Sequence, residues 1–319
     1  MKYVIALVTL LFLPSIVTGI TPKETRIVAK YLQDISVTIR SEGSYSKSEG
    51  SGVLITRKVG TETVTFVWTC AHVVDNLRNV RTVIEDGNNK KVVEFDDVQI
   101  IKELVEDGRR VGEMKMDAEV IKFSDADDGE DLALLMVRAR DYGKESARFY
   151  LDKESDIIPI GTPLFHVGSL LGQMGANSMT SGIVSQVGRI RNKVEYDQTT
   201  VTAFPGSSGG GVYLYDGRYV GMIVRGAGEG FNLMVPVRRM KRWATEHDIM
   251  WAIDPKLKMP TMKEINELPI ESTGKKDSEE PASKKKGKKL WGNDREFPYL
   301  IKVTDLRNDV PVVPGAELE

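Results

Sequence analysis

An all-β fold is the class this 319-residue sequence predicts. Its 29 glycines are scattered among many short Val/Ile-rich runs, a texture of strands joined by turns rather than of amphipathic helices. A hydrophobic content of 41% lets a chain of this length bury one large core or two medium ones. With 44 basic against 46 acidic residues the formal charge is −2, which gives no reason to expect nucleic acid as a partner.

The first segment reads as an export signal. Lys2 precedes an apolar run from Tyr3 to Leu13, and Pro14 and a more polar stretch lead to Val17-Thr18-Gly19, placing a signal peptide at 1–19 with cleavage after Gly19. About eleven apolar residues fall short of the roughly twenty that span a bilayer, so a retained anchor is the alternative reading. The expected location is periplasmic or extracellular. Cys70 is the one cysteine, so no intramolecular disulfide forms and no lipid attachment point lies near the signal.

The next strong element, Val64 to Val74, reads as a buried strand with His72 at its end. Cys70 reads there as a small hydrophobe, with a Cys/His site as the competing reading. From Asp75 to Asp117 a long charged connection suggests an elaborated hairpin at the rim, either solvated or gating substrate. Asp131 opens the apolar strand Leu132 to Val137 and is drawn inward with it, whereas Asp125, Asp127, Asp128 and Glu130 occupy a polar loop and read as solvated. His166 lies inside a strand-like run and reads as structural, and His247 falls on the polar end of a terminal helix.

FPGSSGGG at 204–211 is the most informative stretch. It joins the extended run 197–203 to the run 212–215, so its serines sit on a strand-to-strand turn. A phosphate loop needs a lysine after the glycines and a helix beyond them, and an α/β-hydrolase elbow needs Gly-x-Ser-x-Gly opening a helix; neither is present. A flexible linker is the bland alternative, but linkers lack apolar strands on both sides. A nucleophile loop for acyl transfer remains. Its serine needs a base, for which His72 leads among three histidines, and a buried carboxylate to orient the base, for which Asp131 leads.

GSGVLI at 50–55, TCAHVV at 69–74, DLALL at 131–135, MTSGIVS at 179–185 and PGSSGG at 205–210 occur in an order that resembles the trypsin-like serine peptidases, most of all the HtrA/Deg branch. YVGMIV at 219–224, GFNLMVP at 230–236 and a closing helix extend the likeness. The resemblance implies a chymotrypsin-like pair of six-stranded antiparallel β-barrels, the first at about 24–142 and the second at about 155–240 of a peptidase domain at 22–252. It implies Ser208 as nucleophile, His72 as general base and acid, Asp131 as orienting carboxylate, and the N–H groups of Gly206 and Ser208 as an oxyanion hole. A pocket floor at Thr202, with walls from the strand carrying Val224 and Arg225, follows from the same likeness, and its lack of an acid disfavours Lys or Arg substrates. Gly206 frees a peptide N–H, and Gly209 and Gly210 are expected to leave room for substrate and imidazole.

Two departures stand out. Position 207 is Ser where digestive relatives carry an Asp that pairs with a new N-terminus, so activation by cleavage is not expected. The chain after Ala252 lacks the strand pattern of the PDZ domain common in the HtrA branch. Residues 253–319 read instead as a charged linker and tail, mobile from about 254 to 290, with a basic run at 284–289 that is either solvated or attracted to anionic surfaces. The expected partners are polypeptide substrates, no metal or organic cofactor is implied, and nothing sets an oligomeric state. A catalytically silent, polypeptide-binding module on the same fold is the runner-up, and an esterase using the same residues a third reading.

Overall fold

The computed structural model describes residues 21–271 except 44–45, 86–87, 107, 152–155, 192–193 and 227–229. The signal-like segment, the basic run and the end of the tail lie outside the described residues. Helix α1 (Pro22–Asp34) opens with a capping box, Thr21 and Glu24 exchanging hydrogen bonds around Pro22 in the first turn, which satisfies donors that would otherwise be orphaned.

Two sheets follow. Strands β1 (Ser36–Glu42), β2 (Lys47–Val59) and β3 (Glu62–Thr69) are followed by a side ribbon, β4 (Arg78–Glu85) and β5 (Asn88–Phe95). Next come β6 (Val98–Glu106), β7 (Arg109–Ser124) and β8 (Leu132–Val137). The first barrel closes in the order β1-β2-β3-β8-β7-β6, and the ribbon β4-β5 stands apart as a two-stranded sheet. The charged connection after His72 therefore holds two hairpins, not one.

The second sheet contains β9 (Arg148–Phe149), β10 (Pro163–Leu170), β11 (Gly175–Arg191), β12 (Val194–Thr199), β13 (Gly211–Leu214), β14 (Arg218–Gly226) and β15 (Asn232–Pro236). Its order is β13-β10-β11-β12-β15-β14, the β13–β14 pairing joins the two ends, and β9 adds a short seventh strand parallel to β14. The architecture is two antiparallel β-barrels, the second with this added edge strand.

Alternation along the strands fills the cores. Every residue of β8 is buried, as are Phe66, Val67, Trp68 and Thr69 of β3, which pair with it. Leu164, Val184, Val201, Val212, Val220, Ile223 and Met234 form a separate core in the second. Helix α3 (Val237–Glu246) returns to the first barrel, Trp243 meeting Trp68 edge-on with ring centroids 5.8 Å apart. Trp68 Nε1 donates to the Ala252 carbonyl at 3.0 Å.

Beyond Ala252 the expected mobile linker is instead packed as far as the structure describes it. Ile253 and Ile265 are buried, Ile265 on the short helix α4 (Met262–Asn266), and Phe123 N–H donates to the Ile270 carbonyl at 2.8 Å. The buried Lys122 ammonium donates to the Pro269 carbonyl at 2.8 Å, and Glu271 pairs with Arg78. Scattered apolar residues at 249, 253, 265, 268 and 270 supply the anchors; they are too far apart to show as a strand or a helix in the sequence. Among the described residues no helix is long and apolar enough to cross a membrane.

Candidate active site

His72 does not sit in a strand. β3 ends at Thr69, and the one-turn helix α2 (Ala71–Val74) begins behind Cys70, so the ring leaves the barrel from a helical turn. Its Nδ1 lies 3.0 and 2.9 Å from the two Asp131 carboxylate oxygens, and its backbone N–H donates to Asp131 Oδ1 at 3.1 Å. An ionised carboxylate only accepts, so the Nδ1 proton points at Asp131 and the Nε2 lone pair is left for chemistry. Nε2 is buried and has no hydrogen-bond partner among the described residues.

Asp131 is fully buried at φ 52°, a left-handed backbone uncommon outside glycine. Burial pushes its carboxyl up, but the His72 ring, the two hydrogen bonds from His72 and the Arg225 guanidinium outweigh burial and hold it below the usual carboxylate value of 3.8. The loop before it is clamped from the other end of the chain. Arg239 of α3, fully buried, binds both the carboxylate and the carbonyl of Glu130 and lies over the Tyr196 ring at 4.7 Å. Glu130, read from the sequence as solvated, is thus part of the support for Asp131.

The loop that carries Ser208 is built from tied carbonyls. Pro205 C=O accepts from Leu171 N–H at 2.8 Å, Gly206 C=O from Ser51 Oγ at 2.7 Å, Ser207 C=O from Gly210 N–H at 2.9 Å and Ser208 C=O from Ser51 N–H at 2.7 Å. In a trans peptide the N–H points opposite its carbonyl, so the N–H groups of Gly206 and Ser208 face away from Leu171 and Gly210. Neither donates to another group among the described residues. Ser207 N–H donates to Phe204 C=O at 2.9 Å, and with Pro205 and Gly206 (φ 96°) at the corners this is a type II turn. A side chain on Gly206 would meet the Ser169 carbonyl and Gly172 N, so glycine is required twice over. Ser207 is buried, its Oγ accepting from Phe204 N–H at 3.1 Å.

The loop that carries Ser208 and the segment that leads into His72 are tied to the same residues. Ser51, bonded to Ser208, also accepts from Thr69 Oγ1 at 2.8 Å, and Ile223 C=O accepts from both Gly209 N–H at 2.8 Å and Cys70 Sγ at 3.3 Å. Gly209 and Gly210 make room for something other than substrate and base. A Cβ on Gly209 would meet the Ser51 carbonyl and Thr69 Oγ1, and one on Gly210 would meet the ring of His166. His166 is buried behind the loop with Nδ1 2.9 Å from the Gly211 carbonyl, and burial lowers its pKa from 6.5 to about 4, leaving it neutral.

Cys70, His72 and Asp131 are the one group among the described residues whose side chains cluster at metal-ligand range, within 4.8 Å of one another. Burial and then the Asp131 charge push the Cys70 thiol well above its usual value, His72 and Asp131 already bond each other, and Arg225 Nη2 stands 3.9 Å from Asp131 Oδ2. That donor set suits a protonated thiol beside an ion pair, not a cation or a thiolate nucleophile.

The residues expected to line a substrate pocket differ in exposure. Thr202 is exposed, its carbonyl accepting from Thr180 Oγ1 at 2.9 Å. Val224 is fully buried and offers the cleft no side-chain surface, contrary to its expected place in a pocket wall; it lies in the larger apolar cluster that includes the first barrel, at a register shift between Ile223 and Arg225. Arg225, next along, points back toward Asp131 with 20% of its side chain exposed.

A family model described as the trypsin-like peptidase domain matches residues 50–222, more than half of the chain. The chain belongs to the trypsin-like peptidase family. Among curated proteins, the serine protease Do-like HtrA of Lactococcus lactis subsp. cremoris (strain MG1363) is 26% identical over 191 residues, covering 57% of this trypsin-like chain and 38% of that protein. This chain thus spans well under half the length of that relative. Among solved structures, an HtrA-type protease with a tripeptide has the same fold at a TM-score of 0.51 and 18% identity, over 70% of this chain and 63% of that one. A serine endoprotease from Yersinia pestis superposes at a TM-score of 0.49 and 17% identity, over 72% and 68% of the two chains.

Sequence reading missed Ser51, Leu171, Arg239 and the place of His166. Ser51 and Gly206 bond across 155 positions, and Arg239 and Glu130 across 109, distances at which no local pattern signals a contact.

Proposed function

We propose that this trypsin-like protein is an exported serine endopeptidase that cleaves polypeptides through an acyl-enzyme. The observation that carries this reading is the nucleophile loop itself: its four carbonyls are tied back, its N–H groups at 206 and 208 are left over, and a His72–Asp131 pair stands beside it. In the proposed reaction Nε2 takes the Ser208 proton as Oγ attacks the scissile carbonyl, and Asp131 stabilises the imidazolium. The Gly206 and Ser208 amides hold the oxyanion, and His72 then returns the proton to the leaving amine. Water enters by the same route in reverse and frees the enzyme.

The test is a serine-directed fluorophosphonate followed by mass spectrometry. Label confined to Ser208, lost in Ser208→Ala together with peptide cleavage, supports the peptidase. One observation favours a second reading, a polypeptide-binding module: Nε2 of His72 holds no bond to Ser208. Folded protein that binds unfolded polypeptide yet takes no label would establish that alternative. Export is supported by the segment 2–19 and is checked by N-terminal sequencing of secreted protein, which should begin at Ile20.

A further inference from the structure

The nucleophile loop does not set its own shape; the end of β2 does. Alternation along this strand puts the side chains of Glu49 and Ser51 on one face, while Gly50 between them is pressed against Val73 on the other. From the shared face Ser51 Oγ accepts from Ser169 N–H and donates to Gly206 C=O, both at 2.7 Å. An amide N–H only donates and a carbonyl only accepts, so the hydroxyl proton has one place to go.

Glu49 acts one step further out. Its Oε2 accepts from Gln173 N–H at 3.0 Å, and its Oε1 accepts from Arg40 Nε at 2.9 Å. Arg40 in turn donates to Gln173 Oε1 at 2.7 Å, so the turn 171–174 is fastened to the first barrel by both its backbone and a side chain. This is the turn whose Leu171 N–H holds Pro205 C=O. Leu171 and Gly172 sit at φ 62° and 69°, and a leucine in the left-handed region persists only where its surroundings over-determine it.

We propose that Glu49 and Ser51 are positioning residues for the two oxyanion donors. The assignment rests on the peptidase reading above. Ser51 fixes the height of the loop at Gly206 and, through its own N–H, at Ser208. Glu49 fixes the turn that keeps Pro205 C=O outward. Without that tie the Pro205–Gly206 peptide is free to rotate from the type II to the type I arrangement, which would swing a carbonyl to where the Gly206 N–H had been. The surfaces that bind substrate are not altered, so the loss belongs to the chemical step.

The experiment compares wild type, Glu49→Ala, Glu49→Gln and Ser51→Ala on a chromogenic peptide and on a tetrahedral analogue, a peptide boronic acid. Glu49→Ala and Ser51→Ala should lower kcat by about 10- to 100-fold with KM within about twofold, and boronate affinity should fall in parallel. Glu49→Gln keeps an oxygen that accepts from Gln173 N–H and should recover to within about threefold of wild type. The Glu49 side chain is partly exposed, so its variants keep the test open even if Ser51→Ala does not fold. Loss of thermal stability with unchanged kcat, a loss confined to KM, or equal loss in Glu49→Gln and Glu49→Ala would each overturn the assignment. Wild type labelled at Ser208 with variants at full kcat removes this assignment alone; wild type that takes no label removes the peptidase reading and this one with it.

Discussion

Gly206 and His166 show how much a single residue carries here. At Gly206 the left-handed backbone and the close approach of Ser169 and Gly172 both forbid a Cβ, so Gly206→Ala should turn the peptide and misplace a donor. The expected loss is about 10²- to 10³-fold in kcat at nearly constant KM, read by steady-state kinetics on a peptide substrate. His166 carries a different consequence. Its folded pKa is about 4 against 6.5, so the unfolded chain binds the proton more readily, and stability falls as pH drops from 6.5 toward 4 and levels off below. The full loss is on the order of 3 kcal/mol. Asp131, held below its usual value, adds a loss only at pH lower still. Thermal melts across this range should show the decline in wild type and a flatter profile in His166→Gln; identical profiles would exclude His166 as its source.

At the scale of elements, α3 and β2 fix the segments that carry Asp131 and Ser208. Asp131 sits at a left-handed residue, and what pins it is Arg239, one full barrel away in sequence. Removing one partner of a buried ion pair costs about 3 to 5 kcal/mol because the other is left uncompensated. Glu130 keeps some exposure, so Arg239→Met should fall at or below the low end of that range, read by urea denaturation. Activity should fall beyond what the loss of folded protein explains, since the Asp131 loop loosens. β2 behaves likewise: at its start Glu49 and Ser51 bond the second barrel, while Val53 and Ile55 further along the same face are buried in the core.

At the scale of the whole molecule, the C-terminal segment closes the first barrel. Ile265 is almost fully buried against it, and its truncation to Ala should cost about 2 to 5 kcal/mol in thermal or chemical denaturation. A chain ending at Asp254 should be less stable than one ending at Glu271, because it loses the Phe123–Ile270 and Lys122–Pro269 bonds. Equal stability of the two would show that the strap is ornamental.

Strands, turns and the candidate chemistry were legible in the sequence because they rest on local physics. Continuous apolar and β-branched runs marked β3, β8 and β13; the run of glycines around Ser208 marked a turn that exposes backbone; and the apolar strand behind Asp131 marked a carboxylate drawn inward. Local pattern also misled. It put His72 on a strand where a helical turn holds it and a mobile linker where Ile265 and Ile270 dock, and the family resemblance put Val224 in a pocket wall where the core takes it. What only the tertiary structure decided is how peptides are oriented: which carbonyls of the loop are tied, by Ser51 and Leu171, and which N–H groups are therefore left. Those bonds join residues far apart along the chain, and their energy exists only once both barrels have closed and brought the partners within hydrogen-bonding distance.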